Sequence, residues 1–105
     1  MNQKKVNKTI IYEELQKHKS ILEQFGVMRI GLYGSYVRDE AMEESDIDFL
    51  VEFEKEKKTL KNLVNLGDYL ESVFGKKIDI VTPQGLSPYI GPYILKEVQY
   101  ATFAS

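Results

Sequence analysis

There is no cysteine in this 105-residue chain. That excludes a disulfide framework and a thiolate metal site, and it fits a cytoplasmic protein. An excess of positive charge is also missing: the net charge is -2. General nucleic-acid surfaces are usually basic, so none is expected here. No apolar run approaches the roughly 20 residues that a membrane-spanning helix requires. The opening MNQKKVNK is polar and basic with no apolar stretch behind it, so it does not read as a signal peptide. Proline occurs three times, always between residues 82 and 92, which marks that segment as a loop. The single histidine, His18, falls on the apolar line of a helix and reads as a packing residue rather than a ligand. Repeats, low-complexity segments and internal boundaries are absent as well. The length implies one domain over residues 1–105, with residues 1–8 frayed.

What the chain does have is concentrated between Ile30 and Phe53. Two strand-like runs flank a polar excursion. The first ends in Gly34-Ser35, the second opens with Asp46-Ile47-Asp48, and ten residues lie between Ser35 and Asp46. In a strand, residues i and i+2 share a face. Asp46 and Asp48 therefore point together, opposite Ile47, Phe49 and Val51. Neighbouring carboxylates repel, and one pKa rises unless a cation sits between them. Magnesium accepts one or two carboxylates plus substrate phosphates. A third carboxylate, Asp79 on a later strand-like run, would allow two metals about 4 Å apart for displacement at phosphorus. Gly34 lets backbone approach a ligand or adopt positive φ. Ser35 is placed to cap a short helix, YVRDEA, whose N-terminus would attract phosphate. Each feature alone is ordinary turn chemistry; their combination points to a site for polyphosphate and a hard cation.

The flanking pattern supplies a scaffold. Ile11, Leu15, Leu22 and Phe25 predict a helix over Thr9–Phe25, stopped by Gly26. Strands are predicted at Val27–Tyr33, Ile47–Phe53 and Lys77–Val81, with Ile78 and Ile80 turned to the core, away from Asp79. Residues 42–45 read as a polar loop and Glu54–Lys58 as an exposed charged turn. Thr59 caps a helix to Phe74 with Leu60, Leu63, Val64, Gly67, Leu70 and Phe74 on its buried face. Gly91-Pro92 opens a last helix running through Val98 and Tyr100. Tyr89, Tyr93 and Tyr100 exceed what a simple cover needs, so a partner or self-association surface is expected there, a homodimer being the common form of the latter. The order α-β-α-β-α-β-α implies an α/β or α+β fold with a small mixed sheet flanked by helices. The 34–46 connection is short for a parallel crossover, so the first two strands should be antiparallel.

Gly-Ser, ten residues, Asp-x-Asp and a later strand Asp together resemble the polymerase-β-like nucleotidyltransferase superfamily. The small size resembles its minimal nucleotidyltransferase (MNT) branch, whose members are often antitoxin partners of HEPN-domain toxins. The likeness covers nearly the whole chain, including the ending LSPYIGPYILKEVQYA. Where many members read GSxARG, this chain reads GSYVRD: Arg38 is kept, while Val37 and Asp39 replace small residues and put the loop geometry in question. The resemblance implies Mg²⁺-dependent transfer of a nucleoside monophosphate, AMP from ATP, to a hydroxyl; in HEPN-paired members the acceptor is a tyrosine of the toxin. It further implies that Gly34 and Ser35 hold the β- and γ-phosphates and that Asp46 and Asp48 bind Mg²⁺. Asp79 would complete a second metal site and help deprotonate the acceptor. Arg38 would steady polyphosphate charge, or form a surface salt bridge. Two rivals stand beside this: a catalytically silent module that neutralises a toxin by contact, and a small-molecule nucleotidyltransferase of the aminoglycoside kind, which carries an additional domain. A self-contained polymerase fits less well, since the chain has no room for template-binding domains.

Overall fold

A computed structural model describes residues 5–103. Its elements run α1 (Lys8–Lys17), α2 (Lys19–Gln24), β1 (Val27–Tyr33), β2 (Ile47–Phe53), α3 (Leu60–Phe74), β3 (Ile78–Val81), α4 (Gly91–Glu97) and β4 (Gln99–Tyr100), with short 3-10 turns at Lys55–Lys57 and Pro83–Gly85. The sheet order is β3-β2-β1-β4. β1 pairs antiparallel with β2 and with β4, while β2 and β3 run parallel. The expected mixed sheet and antiparallel first pair are therefore present.

Alternation along β2 decides what goes where. Ile47, Phe49, Val51 and Phe53 are buried and join Ile30 and Leu32 of β1 in one apolar cluster. Against them pack Ile11 and Leu15 of α1, Leu22 of α2, and Leu66, Leu70 and Phe74 of α3. Three helices thus close one face of the sheet. The intervening residues Asp48, Leu50 and Glu52 point the other way. Ile78 and Ile80 pack half-buried against the cluster, and Asp79 between them is exposed. That arrangement matches the expectation for β3.

Four local expectations need correction. The predicted 9–25 helix is two helices, broken at His18 (φ −102°, ψ 16°). There the imidazole leaves helical register to share a 2.5 Å hydrogen bond with the Tyr69 hydroxyl of α3. Frayed residues 1–8 are expected, but Asn7 caps α1 through a 2.9 Å bond from the Ile10 amide, and Val6 packs on the core; residues 1–4 lie outside the described residues. The buried stripe of α3 is rotated: Leu66 is fully buried, whereas Leu60 and Val64 are 76% and 52% exposed. Both stripes satisfy a 3.6-residue period, and contact with the sheet selects one of them. Finally, the last helix stops at Glu97. Gln99 and Tyr100 then form β4, opposite Leu32 and Gly31. A strand of two residues leaves no period to read. Gly31 makes room for it, because a side chain there would meet Val98 and Tyr100.

The rotated stripe makes a direct prediction. Leu66→Ala should cost about 2–5 kcal/mol, the range for a truncated core leucine. Leu60→Ala should stay within about 0.5 kcal/mol. Urea unfolding of both variants checks the order, and equal costs would contradict it.

Candidate active site at the acidic end of the sheet

The ends of β1, β2 and β3 bring Gly34, Asp48 and Asp79 together. Asp48 lies opposite Tyr33 across the antiparallel pair and beside Asp79 across the parallel one. Asp46 precedes β2 and is exposed, while Asp48 is half-buried. Gly34 follows β1 with φ +81°, and a Cβ built on it would run into the Asp48 carboxylate. Glycine is therefore required twice over: for the left-handed backbone and for the approach of the acid.

The segment after Gly34 is not the predicted helix, and Ser35 is not an N-cap. It is a run of turns. The amides of Val37 and Arg38 donate to the Gly34 carbonyl at 3.2 and 3.3 Å, and the Glu40 amide donates to the Ser35 carbonyl at 2.9 Å. Tyr36 and Val37 are buried in the core cluster, so the chain is pulled inward before a helical turn can extend. Asp39 then sits at φ +57°. That explains the small residue found at its position in the family pattern; aspartate is among the few non-glycine residues that tolerate this region.

Electrostatics mark Asp48 as the centre. Its carboxyl is pushed up to about 6, first by burial and then by the charges of Asp79 and Asp46, with Arg38 opposing. Glu97 of α4 adds to the same repulsion. The Tyr33 phenol is also raised, by burial and by Asp48, Asp79 and Glu97. Sequence reading missed Tyr33 and Glu97. Tyr33 immediately precedes Gly34, and strand alternation could have set it on the acidic face. Glu97 belongs to a helix that reads as apolar cover, and only the tertiary fold brings it here. Arg38 is half-exposed and engaged: its Nε donates to Glu40 Oε1 at 2.9 Å, and its Nη1 donates to Glu97.

The carboxylate set is all hard oxygen, the donor chemistry a divalent cation such as Mg²⁺ selects. Mutual repulsion at Asp48 is what such a cation would relieve. Among the described residues, however, no three acidic, histidine or cysteine side chains converge to hold a metal ion. Hollows of about 260 Å³ beside Tyr12 and Tyr100, and of about 1050 Å³ between α1 and the end of α3, share no residue with the site.

Residues 15–101 match the nucleotidyltransferase domain family. The chain belongs to that family. This nucleotidyltransferase domain is 45% identical over 82 residues to the protein adenylyltransferase MntA of Thermococcus cleftensis, covering 78% of this chain and 82% of that one. A solved candidate minimal nucleotidyltransferase superposes with a TM-score of 0.79 at 31% identity, covering 92% of this chain and 98% of the other. A chain from the complex of a tri-AMPylated Shewanella oneidensis HEPN toxin with an MNT antitoxin shares the fold. Its TM-score is 0.63 at 18% identity, with 88% of this chain and 71% of that one covered. By fold and sequence this is a minimal, MntA-like nucleotidyltransferase.

The raised carboxyl of Asp48 has a definite sign. Its folded value lies above the ordinary 3.8, so its stabilising contribution is complete below the unfolded pKa and is lost as pH climbs through about 6. With divalent ions chelated, the melting temperature of the wild type should fall relative to Asp48→Asn between pH of about 4 and about 6. A constant difference across that window would contradict the assignment.

Proposed function

We propose that this chain is a protein adenylyltransferase that moves AMP from ATP to a hydroxyl of a partner protein and acts as the antitoxin of a HEPN-type toxin. The observation that carries the reading is the convergence of Asp48 and Asp79 in register, with Gly34 stripped of a side chain against them. The MntA relative and the AMPylated toxin complex support the substrate and the partner. A tyrosine hydroxyl is the proposed acceptor, and the cytoplasm is the proposed compartment.

In this reading the acceptor oxygen attacks the α-phosphorus of ATP. The bond from that phosphorus to the bridging oxygen breaks, and pyrophosphate leaves. The acceptor proton passes to a carboxylate at the strand ends, Asp79, which is exposed on β3. Gly34 and Ser35 bring backbone against the β- and γ-phosphates, and Arg38 offsets their charge. Asp48 and Asp79, which lie in register, would supply oxygen ligands to Mg²⁺ alongside the phosphates, with Asp46 as a further candidate ligand, and the bound cation would supply charge neutralisation there. Positioning and electrostatics carry the acceleration, and no covalent enzyme intermediate is needed.

A contact-only antitoxin is the second reading, favoured by the exposed Tyr89, Ile90, Tyr93 and Leu95. Calorimetric titration of ATP separates the two. Wild type should bind with Mg²⁺ and lose binding in EDTA, and Asp48→Asn should lose it in both while melting cooperatively. Binding by Asp48→Asn equal to wild type, or none by wild type, would favour the contact-only module.

A further inference from the structure

Arg38 joins the Gly-Ser loop to α4. Its guanidinium bridges Glu40, two residues along the loop, and Glu97, at the C-terminal end of α4. The two partners differ. The Glu40 side chain is 62% exposed and the Glu97 side chain 22% exposed. Glu97 is thus held close to other acids: its charge is felt at both Asp48 and Tyr33, while Arg38 is the cation opposing it at Asp48. A partly desolvated carboxylate in such company depends on its cation. Two of the guanidinium's five N–H donors are engaged, and its charge is already offset by two carboxylates before any phosphate arrives.

Resting on the adenylyltransferase reading, we propose that Glu97 is a latch on Arg38 that the nucleotide polyphosphate displaces. Phosphate and Glu97 compete for the same guanidinium. Nucleotide binding therefore releases the Glu97 side chain, at the end of α4. The helix is suited to respond. Of its seven residues only Gly91 is buried. Ile90, Tyr93 and Glu97 fall on one helical stripe, so the apolar stripe, 59% exposed at Ile90 and 74% at Tyr93, runs directly to the residue that leaves Arg38.

The test is a double-mutant cycle read by calorimetric titration of Mg·ATP into wild type, Glu97→Gln, Arg38→Gln and the double variant, with thermal melts confirming that each folds. Glu97→Gln should tighten binding about twofold to fivefold, the span of an exposed ion pair that no longer has to be broken. Glu97→Asp, one methylene short of Arg38, should tighten it likewise while keeping the negative charge. In the Arg38→Gln background the Glu97 substitution should have a smaller effect, since only its direct charge at the site is then removed. Weaker or unchanged binding by Glu97→Gln overturns the latch. Equal tightening with and without Arg38 also overturns it, since that is the removal of a nearby negative charge and nothing more. Absence of ATP binding in every variant, wild type included, overturns the adenylyltransferase reading along with the latch.

Discussion

Asp48 sits where β1 has just run out of side chains. Its carboxylate occupies the space a Cβ on Gly34 would need, with Tyr33 across one ladder and Asp79 across the other. The rest of the domain can be understood from that crowding. Ile47, Phe49, Val51 and Phe53 anchor β2 from below, fixing the strand so that the even-numbered residues cannot turn away. Three helices seal the apolar face. The acidic groups are therefore held together by the burial of their neighbours, against their own repulsion. The Asp48 carboxyl is raised first by its own burial and then by that imposed proximity. Such stored repulsion is typical of sites that wait for a cation or a proton.

The loop after Gly34 shows how a motif can survive a change in its letters. Val37 and Asp39 stand where smaller residues are common in the family pattern. Val37 is accommodated by burial in the core cluster, together with Tyr36. Asp39 is accommodated by the left-handed backbone at φ +57°, which aspartate tolerates better than most side chains. The loop keeps its turns, and Arg38 between them stays at the surface beside Glu40 and Glu97.

Much of this was legible in the residues alone, for identifiable reasons. The placement of Asp48 and Asp79 on adjoining strands was readable because strand periodicity is strict. The antiparallel β1–β2 pair followed from the length of the connection. Other features depended on tertiary contacts that no local pattern encodes. The break at His18 depends on Tyr69, 51 residues away. The burial of Leu66 rather than Leu60 was decided by which side of α3 met the sheet. β4 was hidden because two residues have no periodicity, and its place was signalled only by the missing side chain of Gly31. Glu97 lies in a helix that reads as apolar cover, and only the fold sets it against Arg38.

The central claim is that these carboxylates serve displacement at the α-phosphorus. Following the label directly decides it. The chain is incubated with Mg²⁺, a tyrosine-bearing HEPN-type partner, and ATP labelled in parallel at the α- or the γ-phosphate. The account predicts that the α-label becomes covalently attached to the partner and that the γ-label leaves in pyrophosphate. Attachment of the γ-label, or neutralisation of the partner with neither label attached, would contradict it.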